Sequence, residues 1–162
     1  MKNTRIGTRN IAFGGLIAAL YVVLTWIANA LGLASGAIQV RFSEALTILP
    51  VLTTAAIPGV TVGCLLANLL TGCAPWDVVL GTLATLIGAM GTWWMRKKPR
   101  LAWIPPVVSN TLVVPIVLMK VYGVEDAWPV LALQIFIGEF LSCCVLGMLL
   151  YQGVRKPLEK LI

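Results

Sequence analysis

Long apolar stretches without charge alternate along the chain with short clusters of charged residues. The first stretch extends from Arg9 to Arg41 with no charged residue between them, and the last contains only Glu139. Because a helix needs about 20 apolar residues to cross a bilayer, each of these stretches is long enough for one membrane span. The predicted long spans cover about residues 11–31, 77–95, 101–121 and 127–153.

The stretch between Glu44 and Asp77 does not fit a single span. Its 32 uncharged residues would form a helix of about 48 Å, whereas the apolar core of a bilayer is about 30 Å thick. Pro58 lies near its middle, and proline favours the first turn of a new helix over the continuation of an old one. We therefore predict a hairpin of two short helices, over about residues 43–54 and 58–70.

The basic residues predict the orientation of these spans. With six spans and a cytoplasmic N-terminus, ten of the twelve bases fall on the cytoplasmic side, in agreement with the positive-inside rule. If the hairpin were one span, the bases would be split four against eight. The sequence thus predicts one six-helix transmembrane bundle over residues 1–162 in the cell membrane, with both termini cytoplasmic. The ten bases are Lys2, Arg5, Arg9, Arg96, Lys97, Lys98, Arg100, Arg155, Lys156 and Lys160.

Composition also indicates an all-α integral membrane protein. Hydrophobic residues make up 59% of the chain and charged residues 11%, compared with about 25% charged residues in soluble domains. The net charge of +6 does not indicate a nucleic-acid partner, since the bases lie in short clusters between apolar runs. The absence of histidine excludes Ser-His, Cys-His and HExxH chemistry, and the four cysteines form no CxxC pair. We therefore expect no metal, no cofactor and no enzymatic activity.

Acidic and amide side chains are the candidate ligand-binding groups. Five of the six acids lie on the predicted outer side or within the membrane. Glu139 lies about 18 Å along the last helix, near the bilayer centre, where a carboxyl group usually faces a cavity or a partner. The predicted ligand-binding residues are Arg41, Glu44, Asn68, Asp77, Asn110 and Glu139.

Each of these residues also has a purely structural interpretation. Asp77 follows a proline and a tryptophan at a helix start, where it could cap the helix or pair with its dipole. Arg41 could pair with Glu44, and the two asparagines could join neighbouring helices. The glutamate near the bilayer centre could be protonated or hydrogen-bonded and serve only packing. The sequence leaves both interpretations open.

Small residues form a second pattern, in the first and third spans. Gly14 pairs with Ala18, and Gly15 pairs with Ala19, at the four-residue spacing that lets helices approach closely. A similar set at positions 59, 63 and 67 is expected to serve internal packing. The first-span set could pack internally or face a partner protein.

Several stretches, in their order and spacing, carry a family resemblance. They are QVRFSEAL at 39–46, LLANLL at 65–70, WDVVLGTLAT at 76–85, VSNT at 108–111, and Gly138-Glu139 followed by Gly147. The chain resembles the substrate-binding S components of energy-coupling factor (ECF) transporters, and within them the queuosine-precursor transporter (QueT) group. The similarity covers nearly the whole chain.

This resemblance implies a six-helix protein that binds a micronutrient from outside and docks to a membrane coupling subunit with two cytoplasmic ATPases. The implied ligand is a 7-deazaguanine, such as 7-aminomethyl-7-deazaguanine or queuine. The implied docking face is the small-residue set of the first helix at Gly14, Gly15, Ala18 and Ala19, where glycine replaces the first alanine of the family's Ala-xxx-Ala. Carboxylates and amides would suit the cationic and guanine-like parts of such a ligand.

Other functions stay open from the sequence. They are an S component for another vitamin, an autonomous secondary carrier, an intramembrane enzyme based on Glu139, Asp77 or the lysines, and a structural or channel-like protein. Carriers often contain inverted repeats, and we find no convincing repeat. No GxxxxGK[ST] motif is present, so ATP hydrolysis is expected only in partner subunits.

Overall fold

A computed structural model describes residues 7–33 and 38–161, with side chains through residue 158. Most of these residues are helical. The 3-10 helix Phe42–Val51 precedes α2, and the π-helical segment Phe140–Leu146 joins α5 to α6. Among the bases predicted to be cytoplasmic, Lys2, Arg5 and the side chain of Lys160 lie outside the described part. The described residues form six α-helices: α1 Thr8–Ala30, α2 Ala56–Leu70, α3 Pro75–Trp94, α4 Ile104–Lys120, α5 Trp128–Glu139 and α6 Gly147–Leu161.

Within residues 7–33 and 38–161, four helical segments are long and apolar enough to cross a membrane. The all-α membrane fold is thereby confirmed, whereas the count of six spans stays a prediction. Two shorter apolar helices, Phe42–Val51 and Ala56–Leu70, lie where the sequence predicts a hairpin. The four long segments are Thr8–Ala30, Pro75–Lys97, Pro99–Lys120 and Trp128–Leu158.

The first arm of this hairpin has an unusual backbone. It is a 3-10 helix of 10 residues, although 3-10 helices rarely exceed three or four residues. Every residue from Ser43 to Pro50 is buried, and the segment packs against α1, α2, α3 and α6. Surrounding helices therefore hold a tight, irregular segment at the centre of the bundle.

Gly14 and Ala18 of α1 are used inside the molecule, at a close crossing with α2. A Cβ added at Gly59 of α2 would lie 2.9 Å from the Gly14 carbonyl oxygen, and one added at Gly63 would lie 3.1 Å from the Ala18 Cα. Glycine at both positions lets the two backbones approach this closely. The internal packing expected for the third-span small residues is thus seen.

Gly15 and Ala19 lie on the other side of α1 and are exposed. A Cβ added at Gly15 would meet no heavy atom within 4 Å. The structure therefore separates the two small-residue pairs that the sequence could not distinguish, with one pair facing inward and one facing outward.

A tight turn joins α2 to α3. Gly72 in this turn has φ +75°, a conformation that glycine adopts without steric cost. Pro75 then occupies the start of α3, and Asp77 lies in its first turn, where a negative charge is favoured by the helix dipole. The turn brings Asn68, near the end of α2, close to the start of α3.

Candidate ligand-binding site

A polar cavity of about 420 Å³ lies between α1, α2, α3 and α4, at the end of the bundle that carries the Gly72 turn. Its volume lies within the range of about 300–1,000 Å³ that is usual for small-molecule sites. Three predicted residues, Arg41, Asn68 and Asp77, line it. The other lining residues are Thr25, Asn29, Gln39, Thr71, Cys73, Val114, Val117, Leu118 and Tyr122.

Asp77 is held by a tyrosine from the loop after α4. The Tyr122 hydroxyl donates to Asp77 Oδ2 at 2.7 Å and accepts from the Ala74 backbone N–H at 3.1 Å. Partial burial, with the hydrogen bond and charge of Asp77 adding to it, raises the pKa of Tyr122 to about 12. Tyr122 is therefore a protonated donor at neutral pH and fixes the orientation of the carboxylate.

Gly81 of α3 lies next to the side chains of both Asn68 and Asp77. A Cβ added at Gly81 would lie 3.2 Å from Asn68 Nδ2 and 3.5 Å from Asp77 Oδ1. Asn68 is itself buried, and its Nδ2 lies 3.6 Å from Cys64 Sγ as a weak donor. A side chain at position 81 would therefore crowd both the Asn68 amide and the Asp77 carboxylate.

The other three predicted residues, Glu44, Asn110 and Glu139, do not line the cavity but form a buried cluster. Each is at most 6% exposed. The Tyr21 hydroxyl of α1 donates to Glu44 Oε1, and the Asn110 side chain interacts with both carboxyl groups. Glu44 Oε2 is fully buried and has no hydrogen-bond partner of normal geometry in the described part of the chain.

Cys143 closes this cluster from the π-helical segment. Its thiol donates to Glu139 Oε2 at 3.4 Å and lies 3.6 Å from the Glu44 carbonyl oxygen. The ligand atoms of Glu44, Glu139 and Cys143 lie within 4.8 Å of one another, and oxygen and sulfur donors at this spacing could hold zinc. The Cys143 thiol and the Glu139 carboxyl group are also hydrogen-bonded to each other.

Two irregular backbone segments meet at the cluster. Glu139 ends α5 immediately before the π-helical segment, a backbone form that often occurs at functional sites. A Cβ added at Gly138 would collide with the Gln39 carbonyl oxygen, so only glycine lets the segment 38–41 cross α5 here. The Arg41 backbone N–H donates to Ser142 Oγ at 3.2 Å, which anchors this segment to the π-helical turn.

Arg41 connects the cavity with the buried cluster. It lines the cavity and also interacts electrostatically with Tyr21, Glu44 and Glu139. Among the described residues that line the cavity, Arg41 is the one base. All six predicted residues therefore belong to one continuous polar region with two parts.

The sequence prediction missed the polar face of α1. Tyr21, Thr25 and Asn29 follow one another at four-residue spacing and therefore lie on one side of the helix. Thr25 and Asn29 line the cavity, and the Thr25 hydroxyl lies 2.9 Å from Ser43 Oγ. Three polar residues at this spacing in an otherwise apolar span are a signal that could have identified them.

Comparisons with known proteins agree with the resemblance seen in the sequence. The family model described as QueT transporter matches residues 11–156. The chain belongs to the QueT transporter family. With its four long apolar helices, this QueT family member is a multi-pass membrane protein.

A curated relative from Lactococcus lactis subsp. cremoris bears the name Queuosine precursor transporter QueT. It is 37% identical to this QueT family member over 88 residues, which are 54% of the chain and 50% of the relative. The chain thus spans about half the length of the curated relative that it matches. No solved structure matches the chain.

Proposed function

We propose that this QueT family member is the substrate-binding S component of an ECF importer and takes up a 7-deazaguanine queuosine precursor. The observation that carries the proposal is the cavity of about 420 Å³, with a carboxylate, an amide and a guanidinium on its wall. Its volume suits a small bicyclic base. The name of the Lactococcus lactis relative supports the ligand class.

In this proposal, Asp77 and Asn68 recognise the guanine-like edge of the ligand. A carboxylate accepts strong, charge-assisted hydrogen bonds from the paired N–H groups of such an edge, and Asp77 and Asn68 both line the cavity. Among the described residues, the region contains three acids, Glu44, Asp77 and Glu139, and the cavity lining contributes one base, Arg41. It therefore favours a ligand with a positive charge. The aminomethyl group of 7-aminomethyl-7-deazaguanine has that charge near neutral pH.

A ligand screen tests the substrate class directly. We expect 7-aminomethyl-7-deazaguanine or queuine to stabilise the purified protein in thermal-shift and calorimetric titrations, and guanine, folate and cobalamin to have little effect. Stabilisation by folate or cobalamin alone would instead identify an S component for another vitamin. Glu139→Gln is expected to bind the deazaguanine more weakly, and unchanged affinity would remove Glu139 from the site.

The proposal also includes six spans, both termini in the cytoplasm, and a docking face on α1. Gly15 and Ala19 are its central residues, because they are exposed and small enough to admit a close helix crossing. Gly14 and Ala18 pack against Gly59 and Gly63 of α2 and are not available to a partner. We therefore assign docking of the coupling subunit to the outward pair.

Co-purification tests this docking face. Gly15→Leu should reduce recovery of the coupling subunit and the two ATPases when all are co-expressed, while the isolated variant still binds ligand. Ala30→Leu, an exposed change at the far end of α1, is the matched control and should retain the complex. Equal recovery with both variants would argue against docking through Gly15, and failure of the native chain to associate would argue against an ECF importer.

A further inference from the structure

A second, apolar groove lies between α3 and α4, toward the opposite end of these helices from the cavity. Its volume is about 790 Å³. Ile87 and Trp94 of α3 form one wall, and Val108 and Leu112 of α4 form the other. All four side chains are exposed, and Trp94 reaches 82% exposure. The groove therefore opens outward, on the side of the helix pair that faces the membrane.

Glycine and proline create this groove. A Cβ added at Gly91 would collide with the Pro105 ring, and one added at Gly88 would lie 2.7 Å from the Pro106 Cα. The two helices thus touch without large side chains between them, and the bulky residues on either side project past the line of contact. The result is a groove with an apolar floor and apolar walls.

The groove ends at a concentration of positive charge. Lys97 and Lys98 line it, in a turn that also carries Arg96 and Arg100. The Arg96 side chain contacts Trp93 instead. Its guanidinium carbon lies 4.2 Å from the Trp93 ring centroid, and its Nη1–H donates a hydrogen bond to the Trp93 carbonyl oxygen at 3.3 Å. No acidic residue occurs between Asp77 and Glu125. An anion at this end would therefore meet two lysines and no acid from either helix.

We propose that this groove binds an anionic phospholipid, with an acyl chain along α3 and α4 and its phosphate at Lys97 and Lys98. Basic pockets between membrane helices at the cytoplasmic side are typical sites for anionic headgroups, and the charge pattern predicts that this turn is cytoplasmic. The apolar groove leads directly from the lysines into the level of the spans. This site is separate from the cavity and does not depend on the proposed transport ligand.

Native mass spectrometry of the full chain with added lipid tests the site. We expect the native protein to retain phosphatidylglycerol in preference to phosphatidylcholine. Lys97→Gln combined with Lys98→Gln should weaken phosphatidylglycerol binding by roughly 10- to 30-fold. The matched control, Lys120→Gln with Lys156→Gln, removes two exposed lysines outside the groove and should leave it unchanged. Equal losses in both double variants, or no preference for phosphatidylglycerol, would overturn the proposal.

A second variant tests the apolar half of the site. Val108→Trp fills the groove from an exposed wall position and should displace the lipid although both lysines remain. Free glycerol phosphate should not compete, because it lacks the acyl chain. Competition by glycerol phosphate, or full lipid retention by Val108→Trp, would overturn the lipid site. Loss of a partner subunit from the double-lysine variant with lipid binding unchanged would identify a protein partner and also overturn it.

Discussion

Two acid–amide pairs of this protein show how the same residue types serve different purposes. Asn68 and Asp77 both line the cavity, and Gly81 of α3 lies next to their side chains. Asn110 and Glu139 lie in the neighbouring cluster, where Tyr21 and Cys143 reach the acidic groups. The first pair lines the cavity and can present polar atoms to a ligand, whereas the second pair lies outside the cavity and interacts with other protein side chains.

In the proposed function, the first pair is placed to bind a ligand, whereas the second pair contributes to the stability of the fold. A buried carboxyl group is costly unless it is hydrogen-bonded. The cluster supplies hydrogen bonds to Glu44 Oε1 and Glu139 Oε2, whereas Glu44 Oε2 has no partner of normal geometry among the described residues. Its partners come from α1, the 3-10 helix, α4 and the π-helical segment. We infer that loss of a cluster residue affects folding in addition to any effect on ligand binding, whereas loss of a cavity residue affects mainly ligand affinity.

The largest expected effect is on the cluster, through Glu44→Leu. The change keeps volume but leaves the Tyr21 hydroxyl without its acceptor and removes one acid beside Arg41, so we expect a loss of about 3 kcal/mol in the free energy of unfolding. Unfolding in detergent or bicelles measures it. Glu125→Leu, at an exposed position, is the control. Equal stability of the two variants would show that the cluster does not hold the bundle together.

Gly138→Ala should destabilise the protein next most strongly. The new methyl group would collide with the Gln39 carbonyl oxygen, so the segment 38–41 must shift, at an expected cost of about 1–3 kcal/mol. Gly153→Ala in α6 is the matched control, since no heavy atom lies within 4 Å of the added Cβ. The same unfolding assay should show little change for it. A stable Gly138→Ala variant would mean that this crossing is adaptable.

The fold class and the helix breaks could be predicted from the lengths of the charge-free stretches and from the position of Pro58. Charge-free length gives each long span, and Pro58 indicates the start of a second short helix, which the structure begins at Ala56. The 3-10 and π-helical backbones were not predicted, because packing from several helices determines them. A local pattern carries no information about such distant contacts.

The candidate site was predicted only in part for the same reason. Because a polar side chain is costly to bury in a membrane span, each acid and amide could be predicted as a candidate from the sequence. Which of them line the cavity and which form the cluster depends on which helices are neighbours. The four-residue spacing of Tyr21, Thr25 and Asn29 is visible in the sequence and is a sufficient signal for a polar face on α1. Gly81 and Gly138 were not recognisable as site residues, because their contribution is the absence of a side chain at one point in space.

Asp77→Asn should affect ligand affinity and leave stability nearly unchanged. The substitution keeps size and can still accept from Tyr122, but it removes the charge that strengthens hydrogen bonds to the ligand. We expect roughly tenfold weaker binding of a deazaguanine, since one charge-assisted bond is worth about 1.5–3 kcal/mol. Calorimetric titration measures the change. Asp126→Asn, an exposed change outside the cavity, should bind normally, and an equal loss there would point to a general charge effect.

Tyr122→Phe should give the smallest effect in the cavity. It removes the hydrogen bond that fixes Asp77 but leaves the carboxylate and its charge, so we expect roughly two- to fivefold weaker binding, within the net worth of one hydrogen bond of about 1 kcal/mol. Because the pKa of Tyr122 is raised to about 12, the hydroxyl stays protonated below that pH. The ratio of the two affinities should therefore be constant between roughly pH 6 and 9, well below this pKa. A ratio that falls toward one as the pH rises in this interval would show that Tyr122 ionises and does not act as a fixed donor.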